Sequence, residues 1–145
     1  MSGLIGLLST DELALCFYGR RRCKRDVRWL SGTFQRMHQS FESDGDSGFE
    51  WIVGYALCLF QQLDDKRNQV ALACLCIASK MLDDRCAEIG DGVWEAQLPG
   101  LNASHMARAE AYVAHALGFR LRVTQCALET CLEDCAVMHG VAVRV

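Results

Sequence analysis

The stretch "ALACLCIASKMLDD", residues 71–84, decides the fold because almost nothing polar precedes Lys80. A helix without a polar face must be surrounded by other elements, so this stretch predicts a central helix at about residues 69–82. The same stretch ends in Lys80, Asp83 and Asp84. Two interpretations of that charged end stay open: it reaches water, or it reaches a surface where another protein binds.

The rest of the chain predicts an all-α bundle around this central helix. Pro99 is the only proline, and no alternating strand pattern of useful length occurs. Ser9 with Glu12, and Ser47 with Glu50, have the spacing of capping boxes. The six predicted helices are one opened at Ser9, one at about 24–39, one opened at Ser47, the central one, one that ends at Gly118, and one at about 125–138 that Thr124 caps.

Length, hydropathy and cysteine content predict one soluble, intracellular domain. The chain has 145 residues, which is enough to bury a core. Its longest apolar runs, "WIVGYALCLF" and "VALACLCIA", are about half the length that spans a bilayer. The opening "MSGLIGLLSTDE" lacks the basic region of a secretory signal. The nine cysteines are an odd number, so we expect thiols in a reducing compartment rather than a disulfide scaffold.

One glutamate interrupts an apolar face in "NASHMARAEAYVAHALGF", residues 102–119. Met106, Val113 and Leu117 form an apolar stripe at helical spacing, and residue 110 on that stripe is Glu110. An unpaired carboxylate on such a face is costly, so we expect a partner, and Lys80 is the clearest candidate. The pair is either an ion pair at a rim of the fold or the border of a protein-docking surface.

Two motifs around these charges resemble the cyclin family. "LCIASKMLDD" resembles the central-helix motif of cyclins, an apolar run followed by Ala-Ser-Lys and an acidic pair. "MARAEAYVAHALGFRLRVT" is similar to the cyclin segment in which a glutamate precedes "LGF.L" by the same number of residues. The resemblance covers about residues 47–135. The chain is similar to the single-box P/U-type cyclins of the phosphate-starvation kind, and "STDELALCFYGRRRCKR" also looks like the start of the cyclin-fold activators of neuronal cyclin-dependent kinase, so both branches stay open.

The resemblance implies a single domain with one cyclin box and an N-terminal helix. Residues 47–139 would form the core of the box, and residues 1–46 would hold the N-terminal helix and the first box helix with its basic segment. Such a protein is a regulatory subunit, in the nucleus or the cytoplasm, that binds and activates a cyclin-dependent protein kinase. It is not an enzyme and needs no cofactor or metal.

The family's kinase-facing positions can be carried over by motif. In cyclins the matching lysine and glutamate lie on the face that grips the regulatory helix of the kinase, so the resemblance implies that Lys80 and Glu110 bind the kinase. The neighbouring apolar positions of that face are Ile77, Met81, Ala114, Phe119 and Leu121. The first box helix departs from the family pattern, because "RCKRDVRWL" lacks its apolar character and has its arginine in another place.

Other functions find less support in the residues. No Gly-rich phosphate loop, nucleophile elbow or paired Cys/His catalytic signature occurs. Cys131, Cys135 and His139 recur every four residues, but packing explains that spacing better than a zinc site does. The main alternative is a cyclin-fold adaptor, or a transcription-type factor that binds nucleic acid through the basic segment 20–28, "RRRCKRDVR".

Overall fold

A computed structural model describes residues 9–19, 21–42, 48–82 and 103–138. Every regular element in these ranges is an α-helix, which confirms the predicted all-α class. The helices of these ranges are α1 Thr10–Tyr18, α2 Lys24–Glu42, α3 Gly48–Gln61, α4 Asn68–Leu82, α5 Ala103–Ala116 and α6 Gln125–Met138. None of these helices is both long enough and apolar enough to cross a membrane. Ser47, Asp83, Asp84 and His139 lie outside the described residues.

Two of the predicted helix starts are formed by the expected side chains. The Ser9 N–H donates to Glu12 Oε1 at 2.9 Å and the Glu12 N–H donates to Ser9 Oγ at 3.2 Å, which completes a capping box before α1. At α6 the Ala127 N–H donates to Thr124 Oγ1 at 3.1 Å. Because these bonds satisfy backbone donors that a first helical turn leaves unpaired, they fix where each helix begins.

The core contains two central helices rather than the one that the sequence predicts. Residues 70–79 of α4 are all buried, as their continuous apolar character requires. Residues 52–60 of α3 are buried just as continuously. Among the described helices, α3 packs against α1, α2, α4 and α6, whereas α4 packs mainly against α3 and α5. The α3–α4 pair therefore forms the centre, and the other helices cover it.

The N-terminal helix is attached to the core by aromatic packing and by a disulfide. The Phe17 ring lies 5.5 Å, between centroids, from both Phe34 of α2 and Phe60 of α3. Beside it, Cys16 of α1 is bonded to Cys135 of α6. The expectation that the cysteines are thiols is therefore wrong for these two, because the fold brings together residues that are distant in the sequence.

Gly54 allows α3 and α6 to approach closely. A Cβ atom at this position would lie 2.8 Å from Leu128 Cδ1 and 3.0 Å from Leu132 Cδ2. Real Cβ atoms do not tolerate the shorter distance, so a side chain at residue 54 requires the α6 leucines to move. The absence of a side chain at Gly54 thus sets the spacing of these two helices.

We expect Gly54→Leu to lower the free energy of unfolding by about 1–3 kcal/mol, because it overpacks the α3–α6 contact. Urea denaturation followed by circular dichroism measures the change. Gly32→Leu on α2 is the matched control, since a Cβ there meets only the Arg36 guanidinium, at 3.4 Å. That variant should stay within about 1 kcal/mol of the wild type. Equal losses in both variants would contradict the packing role of Gly54.

Candidate partner-binding surface

Lys80 and Glu110 form the ion pair that the sequence predicts. Lys80 lies in the last turn of α4, and its Nζ is 2.8 Å from Glu110 Oε1 and donates to Oε2 at 3.0 Å. The Lys80 side chain is 57% exposed and that of Glu110 is 18% exposed. An exposed ion pair of this kind contributes about 0–1 kcal/mol to the free energy of unfolding, so the pair adds little to the stability of the chain. It stands at a rim where α4 and α5 reach the surface.

The five apolar residues expected beside this pair lie in different environments. Met81 is 48% exposed and Phe119 is 67% exposed, so both present large apolar side chains to solvent. Ala114 and Leu121 are half-buried. Ile77 is only 6% exposed and belongs to the core, where it supports the end of α4 rather than offering a surface.

Phe119 has an unfavourable backbone conformation in addition to its exposure. Its φ is +61°, directly after Gly118, which also has φ +61°. The Phe119 N–H donates to the Ala114 carbonyl at 2.8 Å, which closes the end of α5. Left-handed backbone costs a residue with a Cβ about 1–2 kcal/mol. The ring meets the His115 imidazole edge-on at 4.9 Å but otherwise remains in water, so the fold gains little packing in return.

Tyr55 fixes the segment that follows Phe119. Its hydroxyl donates to the Leu121 carbonyl at 2.6 Å and accepts from the Val123 N–H at 3.1 Å. Tyr55 is buried in α3, and these two bonds satisfy its hydroxyl. Tyr55 is not among the site residues predicted from the sequence. The signal was present, because a tyrosine within the apolar run "WIVGYALCLF" needs a polar partner for its hydroxyl.

A second ion pair lies at the opposite end of α4. Arg67 Nη2 is 2.9 Å from Asp65 Oδ2, and the Tyr112 hydroxyl donates to the same oxygen at 3.0 Å. Hydrogen bonds from the Arg67 side chain hold the pKa of Asp65 below its usual value. Arg67, Arg108 and Tyr112 line a cavity of about 230 Å³. The Arg67 side chain is 64% exposed and that of Asp65 is 22% exposed, which is close to the values for Lys80 and Glu110.

The basic segment is divided between the fold and the solvent. Arg22 Nε donates to Asp26 Oδ2 at 2.7 Å, and Asn68 of α4 donates to Asp26 Oδ1 at 3.0 Å. The Arg22 bond is the main reason that the pKa of Asp26 is lowered. Arg22 also lies 4.4 Å from the Tyr18 ring centroid, so it joins α1, α2 and α4. Among the residues of the segment that the structure describes, the exposed basic ones are Arg21, Lys24, Arg25 and Arg28.

Two of the three residues with the spacing of a zinc site, Cys131 and Cys135, lie within the described residues. Cys135 is bonded to Cys16, and His139 lies outside the described residues. Within the described ranges no group of three or more His, Cys, Asp or Glu side chains is placed to hold a metal ion. Cys131 and Cys135 are four residues apart because each makes a contact between α6 and another helix, α3 for Cys131 and α1 for Cys135.

The chain matches no model of a known protein family, no curated protein and no solved structure. Its function must therefore be inferred from its own residues. Three features stand out at the ends of α4 and α5: the Lys80–Glu110 pair, the exposed Met81 and the exposed, left-handed Phe119.

Proposed function

We propose that the chain is a cyclin-like regulatory subunit that binds and activates a cyclin-dependent protein kinase. The observation that carries the proposal is Phe119, a large apolar side chain held in solvent by an unfavourable backbone conformation. Residues that keep such strain are concentrated at functional sites. Together with Lys80, Met81 and Glu110 it forms what we name the proposed docking surface. Such a partner requires an intracellular location, in the nucleus or the cytoplasm.

A subunit of this kind performs no chemistry itself. A protein kinase is active when a lysine–glutamate pair joins its mobile helix to the ATP site. A protein that docks beside that helix favours this arrangement only by the difference between its affinities for the active and inactive kinase. What the chain must supply is therefore a rigid surface that fits one orientation of the helix. Tyr55 contributes to that rigidity by bonding the Leu121–Val123 segment to α3.

The apolar and the charged residues of the proposed docking surface have different roles. Met81 and Phe119 supply apolar area that docking removes from water. Lys80 and Glu110 set the register of the partner, since polar groups at interfaces contribute specificity more than affinity. Glu110 is already largely covered by its own chain, at 18% exposed, so its orientation is set before the partner arrives.

We expect Phe119→Asn to weaken kinase binding by about 1–2 kcal/mol or more, as loss of a central apolar side chain does. Its free energy of unfolding should stay level or rise by up to about 1 kcal/mol, because asparagine tolerates left-handed backbone. Calorimetric titration with the kinase and urea denaturation measure the two effects. Val137→Asn on α6 is the control, since Val137 is similarly exposed, at 65%. If both variants bind like the wild type, Phe119 is not part of the interface.

The second candidate function is nucleic-acid binding through the basic segment. It is favoured by the exposure of Arg21, Lys24, Arg25 and Arg28 around the start of α2. Against it, Arg22 is engaged within the fold and the whole chain carries a net charge of -3. A third possibility is a cyclin-fold adaptor that binds a kinase or another protein without activating it.

Salt dependence separates the first two functions. The tagged protein is incubated with cell extract at low and at high salt, and bound proteins are identified by mass spectrometry. Duplex DNA binding is measured over the same salt range. A kinase retained at high salt supports the regulatory subunit. Duplex binding that falls steeply with salt, without any kinase, would instead support a nucleic-acid binder.

A further inference from the structure

Two of the three cysteines of helix α6, Cys131 and Cys135, lie one turn apart and face two different helices. Cys135 is bonded to Cys16 of α1. Cys131 precedes it by four residues, which places it on the same side of α6. Cys131 is a free thiol, and its neighbours belong to α3. A helix with this arrangement can be bonded to two parts of the core.

The close approach at Gly54 brings α6 onto the next turn of α3. One turn beyond Gly54, the Cys58 thiol donates to the Ala127 carbonyl at 3.5 Å. The Cys131 thiol donates to Gln61 Oε1, also at 3.5 Å. Cys131 therefore lies over the turn of α3 that begins at Cys58 and ends at Gln61. This position is set by the packing of two helices and does not depend on a loop.

The two thiols lie on facing turns of α3 and α6, and their surroundings differ. Cys131 raises the pKa of Cys58, and Cys58 lowers the pKa of Cys131, although partial burial and the charge of Asp134 act against the latter effect. Cys58 is buried and Cys131 is half-buried. Since the thiolate is the nucleophile and must be reached by the reagent, Cys131 is the attacking sulfur and Cys58 the resolving one.

We propose that Cys131 and Cys58 form a redox-active dithiol site that takes a hydroperoxide as its oxidant. The Cys131 thiolate attacks the outer oxygen of hydrogen peroxide, the O–O bond breaks, and hydroxide leaves with its electron pair, so that Cys131 becomes a sulfenic acid. The Cys58 sulfur then attacks the Cys131 sulfur. An S–S bond forms, and the sulfenic oxygen leaves as water with the proton that Cys58 gives up. The site does not depend on the proposed function.

Oxidation at this site would bond α6 to α3 one turn away from the bond that joins α6 to α1. The helix would then be held covalently at Cys131 and at Cys135. Two molecules of a small thiol restore both cysteine thiols by exchange: they reduce the Cys58–Cys131 bond, transfer their two protons and are themselves oxidised to a disulfide. The chain thus has a site at which peroxide changes the attachment of its last described helix.

The test is to treat the folded protein with hydrogen peroxide, block the remaining thiols under denaturing conditions and map linked peptides by mass spectrometry. The expected result is a Cys58–Cys131 peptide, with loss of two alkylatable thiols per chain. In Cys58→Ser the link should vanish, and a sulfenic-acid-trapping dione should label Cys131 more strongly than in the wild type. Cys126→Ser, which removes an exposed thiol of the same helix, should leave the link unchanged.

Two results would contradict the proposal that Cys58 and Cys131 form a redox-active dithiol. One is the absence of the Cys58–Cys131 peptide while exposed Cys126 and Cys23 become oxidised. The other is a Cys58→Ser variant in which Cys131 is labelled no more than in the wild type. Circular dichroism of each variant before oxidation shows that it is folded, so neither result can be attributed to unfolding.

Discussion

Replacing Lys80 by alanine is expected to weaken the binding of the kinase by about 2–5 kcal/mol while leaving the free energy of unfolding within about 1 kcal/mol of the wild type. The binding loss is large because docking removes the surroundings of Glu110 from water, and the variant leaves that carboxylate without its partner. The stability loss is small because the Lys80 side chain is 57% exposed in the free chain. Titration with the kinase and urea denaturation measure the two quantities.

The chain offers a matched control for this variant. Arg67→Ala breaks the Asp65–Arg67 pair, which has a similar N···O distance and exposure but lies at the other end of α4. It should change stability as little as Lys80→Ala and should not affect kinase binding. Equal binding losses in the two variants would mean that the position of the pair is irrelevant. A Lys80→Ala chain that fails to fold would place the pair within the structural core.

Loss of the Cys16–Cys135 bond should lower the free energy of unfolding by about 2–5 kcal/mol. The bond joins residues separated by 119 positions, so it restricts the unfolded chain over most of its length. The measurement is urea denaturation of the wild type with and without a reductant, beside the Cys16→Ala/Cys135→Ala variant. The reductant should lower the midpoint of the wild type and leave that of the variant unchanged.

If the reductant leaves the wild-type midpoint unchanged, the bond contributes nothing to stability under those conditions. A shift of equal size in the double variant would have another origin, because the variant has no such bond to lose. Mapping of the Cys16–Cys135 peptide by mass spectrometry before denaturation shows that the wild-type sample contains the bond. If protein purified under air does not contain that peptide, the Cys16–Cys135 disulfide itself is contradicted.

Local patterns were sufficient to predict the helices. The Ser9 capping box, Thr124 and Gly118 each act within a few residues of their own position, so the sequence displays them directly. The buried character of α4 also follows from its own residues, since no polar face is present to expose. The pairing of Lys80 with Glu110 could not be predicted from one helix alone. It was predicted because an isolated carboxylate on an apolar face needs a nearby cation.

The sequence alone did not predict the contacts between residues that are distant along the chain. The Cys16–Cys135 bond and the position of Cys131 over the Cys58–Gln61 turn depend on how α6 lies against α1 and α3, and neither leaves a local pattern. The burial of Ile77 was missed for a similar reason. An apolar residue near the end of a helix has the same appearance in the sequence whether it packs inward or faces a partner.

The central claim is that Lys80 and Glu110 lie where a kinase binds. The most direct test is a parallel pull-down from native cell extract with the wild type, with Lys80→Ala/Glu110→Ala and with Arg67→Ala, followed by a kinase assay on each eluate. We expect active kinase with the wild type and with Arg67→Ala, and none with Lys80→Ala/Glu110→Ala. If all three baits give the same eluate, or no kinase activity appears with the wild type, the pair is a structural rim and the claim is contradicted.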